Sequence, residues 1–242
     1  MKTIKTFKGG SLQGMRIIIL HGDDERKLYL RLQKFIETAK SRSWEVNYLD
    51  DSPITESLSA SSLFGNERFF IVRNIKLLGK KEIEWLGKKY ADLSGTLIIY
   101  NEGYIGKTIL SALPKDNKNG HTVVIEEYKL PVLIWNFLEN IHLGGGMSSV
   151  KEFHKIIGSE APEFIFTLIA KLFRDLYWAK VDPSSMPYPP WRVSKLKAQS
   201  SKFTESLLTD FLDSLARIDV DVKTGKADLV SALDLLILKQ LE

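Results

Sequence analysis

The sequence contains no cysteine. Disulfides, thiolate-held zinc, iron–sulfur clusters and thiol nucleophiles are therefore excluded together. Histidine is scarce as well: His21, His121, His142 and His154 are scattered and repeat no ligand spacing, so no metal site is expected. No apolar run approaches the ~20 residues needed to span a bilayer, and no membrane partner is expected. The N-terminal stretch MKTIKTFKGGSLQGM is basic but has no apolar signal core, which predicts a cytoplasmic protein. An excess of one charge is also missing. Lys and Arg number 34 against 30 Asp and Glu, a net +4 that permits an acidic partner such as nucleic acid without requiring one.

What is present is a core-forming chain of 242 residues, 44% hydrophobic, enough for two domains. Its first half carries β-rich runs at Arg16–Leu20, Glu45–Leu49, Arg68–Val72, Thr96–Tyr100 and Thr122–Glu126. Continuous apolar stretches such as IIIL, FFIV and LIIY suit strands covered on both faces, as in a parallel sheet. Helical patterns alternate with them. Leu28, Leu32, Phe35, Ile36 and Ala39 form one stripe between Asp24 and Arg42. Ser52 reads as an N-cap with Pro53 at the first helical position, followed by Ile54 and Leu58 one turn apart. Lys80–Asp92 and Lys107–Leu113 complete a three-layer α/β pattern.

Beyond Lys129 no β-rich run appears, and a helical bundle is expected. Pro131 opens a short helix ending before Gly144-Gly145-Gly146, and Ser149–Glu152 reads as a capping box for a second. The long helix Pro162–Lys180 is followed by the proline-rich loop 181–190, then helices over 191–201, 204–222 and 227–241. The expected core comprises Ile165, Ile169, Leu172, Leu208, Phe211, Leu215, Leu233 and Leu236. Three divisions result: an α/β domain at 1–129, a short helical connector at 130–160 and a helical domain at 161–242.

Strands in this order resemble a P-loop nucleotidase, and Gly106-Lys107-Thr108 matches the end of a phosphate-loop motif. The motif needs a glycine where Asn101 stands, and it normally follows the first strand rather than the fourth. After the first strand comes His21-Gly22-Asp23-Asp24-Glu25. Its three carboxylates suit a helix N-terminus but repel a triphosphate. The third strand ends Val72-Arg73-Asn74, without an acidic pair to hold magnesium.

With this empty loop, three segments resemble the delta subunit of the bacterial DNA polymerase III clamp loader. They are Ile17–Asp24 with its GDD turn, Ser62–Asn74, and Pro190-Trp191-Arg192-Val193 with the helices after it. The resemblance implies an AAA+/P-loop-like domain without a working phosphate loop, then a C-terminal helical collar. In place of the family's lid domain it leaves only the 130–160 segment as a reduced lid. It also implies a non-catalytic part of the polymerase III holoenzyme with no cofactor of its own. Its partners would be the sliding clamp, the ATP-hydrolysing motor subunits and primer–template DNA.

In that family a Leu-Phe pair plugs a hydrophobic pocket on the clamp. Carried over, the clamp-binding residues are Leu63 and Phe64, flanked by Ser62 and Gly65. Ile54 and Leu58 already supply the core stripe of their helix, and Gly65-Asn66 is a turn signal, so an exposed tip is expected. Burying the pair on a partner contributes ~3–6 kcal/mol before binding costs. Where many clamp-binding peptides carry Gln, this chain has Ser59. Lys80, Lys81, Lys88 and Lys89 lie opposite Ile83 and Leu86; they read first as a solvated helix face, with contact to DNA phosphates as the second reading. Trp191 is expected to anchor the proline-rich loop on the bundle. The alternative reading is a P-loop enzyme with Lys107 on the phosphates and Thr108 on magnesium.

Overall fold

Runs of β-branched and aromatic residues form an all-parallel sheet in the computed structural model, which describes residues 14–50, 53–60, 67–114 and 123–242. Its strands are β1 (Arg16–Gly22), β2 (Glu45–Tyr48), β3 (Arg68–Val72), β4 (Thr96–Glu102) and β5 (Val123–Tyr128). Their spatial order is β2-β3-β4-β1-β5, with Ile18 opposite both Ile98 and Val124, and Ile71 opposite Ile98. Side chains alternate between the faces. Ile17, Ile19, Phe70, Val72, Leu97 and Ile99 enter one core with Ile54 and Leu58 of α2 (Ile54–Ser59) and Ile83 and Leu86 of α3 (Lys80–Lys89). Ile18, Leu20, Phe69, Ile71, Ile98 and Tyr100 enter the other, under Leu28, Leu32, Phe35, Ile36 and Ala39 of α1 (Glu25–Ser41). Helices on both faces explain why the strand sequences are apolar without interruption.

The start of α2 differs from expectation. Ser52 lies outside the described residues, and Pro53 takes the N-cap position with an extended ψ of 107°, so the helix begins at Ile54. A fourth helix, α4 (Lys107–Ala112), follows β4.

The chain divides into two units after Leu130. The second is helical: α5 (Val132–Asn140), α6 (Gly146–Ile157), α7 (Pro162–Val181), α8 (Pro190–Ser200), α9 (Glu205–Lys223) and α10 (Leu229–Leu241). Within it α7 packs on α8 and α9, and α6 packs on α10. The 131–160 segment therefore contributes helices to this unit. Phe153 of α6 stacks on Phe137 of α5, and His154 Nε2 lies 2.9 Å from Asp234 Oδ2 on α10.

The expected core residues are buried with one exception. Leu172 is half-buried, and Phe173 takes the central place, stacked on Phe211 at 3.6 Å between ring centroids and edge-on to Phe203. The buried stripe of α7 runs through Ile165, Ile169, Phe173 and Leu176, a helical step that bypasses Leu172.

Helix α6 also corrects the sequence reading. It starts at Gly146, so Ser149 is buried inside its first turn instead of capping it. At this start α10 lies close: a Cβ at Gly146 would stand 2.9 Å from Glu242 Cγ and 3.3 Å from the Ile237 carbonyl, so a larger residue would push the two helices slightly apart.

Candidate functional site

Leu63, Phe64, Ser62 and Gly65 lie outside the described residues, and the structure places only the flanks of their segment. On one side is α2, a helix of 6 residues whose Ile54 and Leu58 are buried. On the other is β3, buried throughout. Arg68, the first residue of β3, joins the two: its Nη1 and Nη2 donate to the carbonyls of Ser57 and Leu58, each at 3.3 Å. The last carbonyls of a helix lack partners within it, and a cation there complements the helix dipole. The guanidinium lies over Phe70, 4.9 Å from the ring centroid. At the other end of β3, Arg73 pairs with Asp50 and lies over Tyr48, fastening β3 to the exit of β2.

The turn after β1 is closed by its own hydrogen bonds. Gly22 and Gly103 exchange N–H to carbonyl bonds at 3.0 and 2.9 Å, and the Asp24 N–H donates to the Tyr128 carbonyl at 3.0 Å. Buried Asp24 caps α1, accepting from the Lys27 N–H at 3.0 Å. A phosphate loop works by aiming such N–H groups at the anion. Here carbonyls and a carboxylate occupy them. Gly22, at φ +136°, approaches so closely that a Cβ would fall 2.0 Å from the Tyr128 carbonyl oxygen. His21 is buried beside it, with the Ile105 N–H directed at its Nδ1 (3.5 Å). Burial holds its pKa below the ordinary value, against the opposing pull of Glu127 and Asp23.

At Gly106-Lys107-Thr108 the spacing for a phosphate loop does not exist. Strand β4 continues through Asn101 and Glu102, leaving only Gly103–Gly106 before α4 begins at Lys107. Asn101 is buried, its carboxamide accepting from the Ile75 N–H and donating to the carbonyls of Glu102 and Gly103. Lys107 and Thr108 are exposed.

Lys80, Lys81, Lys88 and Lys89 are exposed on α3, away from buried Ile83 and Leu86, as their spacing requires. Lys80 lies 4.0 Å from Glu84, and Lys89 lies 3.6 Å from Asp92. The face is basic but interleaved with carboxylates.

Sequence reasoning missed two charged residues with central places. One is Arg68, whose signal is a charge opening the apolar run Phe69-Phe70-Ile71-Val72. The other is Asp175, only 1% exposed within the apolar stripe of α7. Its Oδ1 accepts from Arg174 Nη2 at 2.8 Å, its Oδ2 accepts from the Tyr188 hydroxyl at 2.8 Å, and Arg192 Nη2 stands 4.0 Å away. Arg192 also lies over the Tyr188 ring, 4.4 Å from its centroid. Burial, then the Asp175 charge, raises the Tyr188 pKa. These groups bind the proline-rich loop to α7. Trp191 does not anchor the loop as expected: it is 57% exposed, and it is the following Arg192 that faces Asp175.

This loop and the helices after it coincide with a recognised domain. Residues 183–240 match the family model of the DNA polymerase III delta subunit, C-terminal domain. The match covers most of the loop and α8 through α10, the segment similar to a clamp-loader subunit. No curated protein matches the chain. Among solved structures, the DNA clamp loader delta protein (YqeN) of Bacillus subtilis is 16% identical, with 95% of this chain and 96% of that one covered and a TM-score of 0.44. A DNA polymerase III gamma subunit-related protein of Thermotoga maritima is 15% identical, with 95% of each chain covered and a TM-score of 0.32.

Proposed function

We propose that this chain is a non-hydrolysing clamp-loader subunit that binds and helps open the DNA sliding clamp during replication. Leu63 and Phe64 are the clamp plug, with Ser62 and Gly65 as the flanking clamp-binding residues. The second unit joins ATP-hydrolysing motor subunits as a collar, and residues 130–160 stand as the reduced remnant of a lid. In the assembled loader, Lys80, Lys81, Lys88 and Lys89 face primer–template DNA. The place of action is the cytoplasm, and among the described residues no helix is long and apolar enough to cross a membrane.

The family match over residues 183–240 carries this assignment. The closed β1 turn supports the non-hydrolysing part, because the Gly22, Asp24 and Lys27 N–H groups already have acceptors and its carboxylates repel phosphate. ATP chemistry then belongs to the neighbouring subunits, and this chain contributes binding energy to the clamp.

Equilibrium binding of labelled ATP to the full chain separates this reading from the P-loop enzyme. The expected result is no saturable, magnesium-dependent binding, and no difference between the native chain and Lys107→Ala. Tight binding that needs magnesium and disappears in Lys107→Ala would establish the enzyme reading instead.

A further inference from the structure

Helix α8 carries its charge on the side that faces water. Inward, Leu196 and Ser200 are buried, Gln199 donates to the carbonyls of Leu138 and Ile141, and Arg192 stands by Asp175. Outward, Trp191, Lys195, Ala198 and Lys202 follow one another at steps of four, three and four residues, all exposed. Lys197 is exposed on the other flank of this stripe, with Ser194 between them. Residues 190–202 hold four basic side chains and no carboxylate, a charge equal to the +4 of the whole protein. Other lysine-bearing helices carry acids within the same face: Glu84 lies 4.0 Å from Lys80 on α3, and Asp219 lies 2.7 Å from Lys223 on α9. On α8, Lys195 instead reaches Glu139 of α5 at 2.8 Å, an exposed pair of little net worth that a phosphate can replace. The large Trp191 ring stands 57% exposed at the head of this basic face.

We propose that the outer face of α8 binds single-stranded DNA, with Trp191 as the platform for a base and Lys195, Lys197 and Lys202 on the phosphates. Every base offers a π-face to an aromatic ring, and lysine is a mobile point charge that follows a flexible backbone. Ser194 and Ala198 are small enough to let that backbone approach. From Trp191 to Lys202 the stripe runs ~16 Å, the length of a few nucleotides. A duplex keeps its base faces in the stack, so an exposed ring favours the single strand. An acidic peptide needs an apolar pocket for its anchors, and beside Trp191 this face offers only lysine, serine and alanine. That the strand is DNA rests on the function proposed above; the face itself rests on α8.

The test titrates the full chain into a fluorescein-labelled oligo-dT of ~12 nucleotides and follows anisotropy from ~50 mM salt upward. Trp191→Ala should weaken binding ~10-fold, and Trp191→Phe, which keeps a ring, should recover part of it. Replacing Lys195, Lys197 and Lys202 together with Gln should flatten the slope of log affinity against log salt by ~2, three phosphate contacts at the single-strand value. Melting temperatures should match the native chain, since all four side chains are exposed. A duplex of the same length should bind more weakly and ignore Trp191→Ala. No saturable binding at ~50 mM salt, or native affinity in both Trp191 variants, overturns the proposal. So does a loss confined to Gln replacements at Lys80, Lys81, Lys88 and Lys89, which places the contact on α3. Poly-glutamate competing as well as unlabelled oligo-dT assigns the face to acidic peptides, and an oligo-U bound more tightly than oligo-dT assigns it to RNA; either result overturns it too. Clamp binding without strand binding removes this inference and leaves the clamp-loader reading in place; strand binding that needs Trp191 in a chain that holds no clamp does the reverse. If Trp191→Ala does not fold, Trp191→Phe and the lysine variant carry the measurement.

Discussion

Replacing Leu63 and Phe64 together with alanine is expected to lower sliding-clamp affinity at least ~100-fold, the equivalent of losing about 3 kcal/mol at a hot spot. The melting temperature should barely move. Side chains that project from a tip contribute little to folding, and Ile54 and Leu58 supply the buried stripe of α2 without them. A core role for the pair reverses both outcomes, since two cavities cost several kcal/mol of stability, roughly 2–5 for each truncated side chain. Melting and clamp binding measured on one preparation separate these cases. A large loss of stability with native clamp affinity in the folded fraction would falsify the plug.

The second large effect is expected in the helical unit. Asp175→Ala removes the carboxylate that holds Arg174, Tyr188 and Arg192 at the junction of α7 with the proline-rich loop. The Tyr188 hydroxyl then loses its buried acceptor. Breaking such a buried cluster from one side costs about 3–5 kcal/mol. In a domain of this size that lowers the melting temperature by roughly 15 °C. Tyr188→Phe removes one hydrogen bond and leaves the charges paired, so its cost is about 1 kcal/mol. Thermal denaturation of the two variants checks the order. Equal and small shifts for both would mean that the loop is held by packing alone.

The strands were legible because each is covered on both faces, which writes Ile17–Leu20, Phe69–Val72 and Leu97–Tyr100 as plain apolar runs. The stripe of α1 was legible for a similar reason, one helix lying against one sheet face. The α6 start was not. Ser149–Glu152 satisfies a local capping pattern, but close contact with α10 at Gly146 is a tertiary constraint that no local pattern expresses. Leu172 and Phe173 are adjacent apolar residues, and only the partner ring of Phe211 decides which one fills the core.

Charge made the rest hard to see. Asp175 and Arg68 look like solvated residues until the groups that satisfy them are known, and those lie in other elements: Tyr188 in the loop, the Ser57 and Leu58 carbonyls in α2. The empty phosphate loop was readable from Asp23-Asp24-Glu25, because three carboxylates in a row oppose a triphosphate whatever the fold. The closing bonds from Gly103 and Tyr128 were not, since one partner follows β4 and the other ends β5, both distant in sequence.

Titrating the purified full chain against the sliding clamp of its own source, without nucleotide, tests the central claim most directly. Calorimetry should show saturable binding with a Kd of ~1 µM or tighter, unchanged by magnesium and ATP. Binding that appears only with magnesium and ATP, or no binding at ~100 µM clamp, contradicts a clamp-holding subunit that needs no nucleotide of its own.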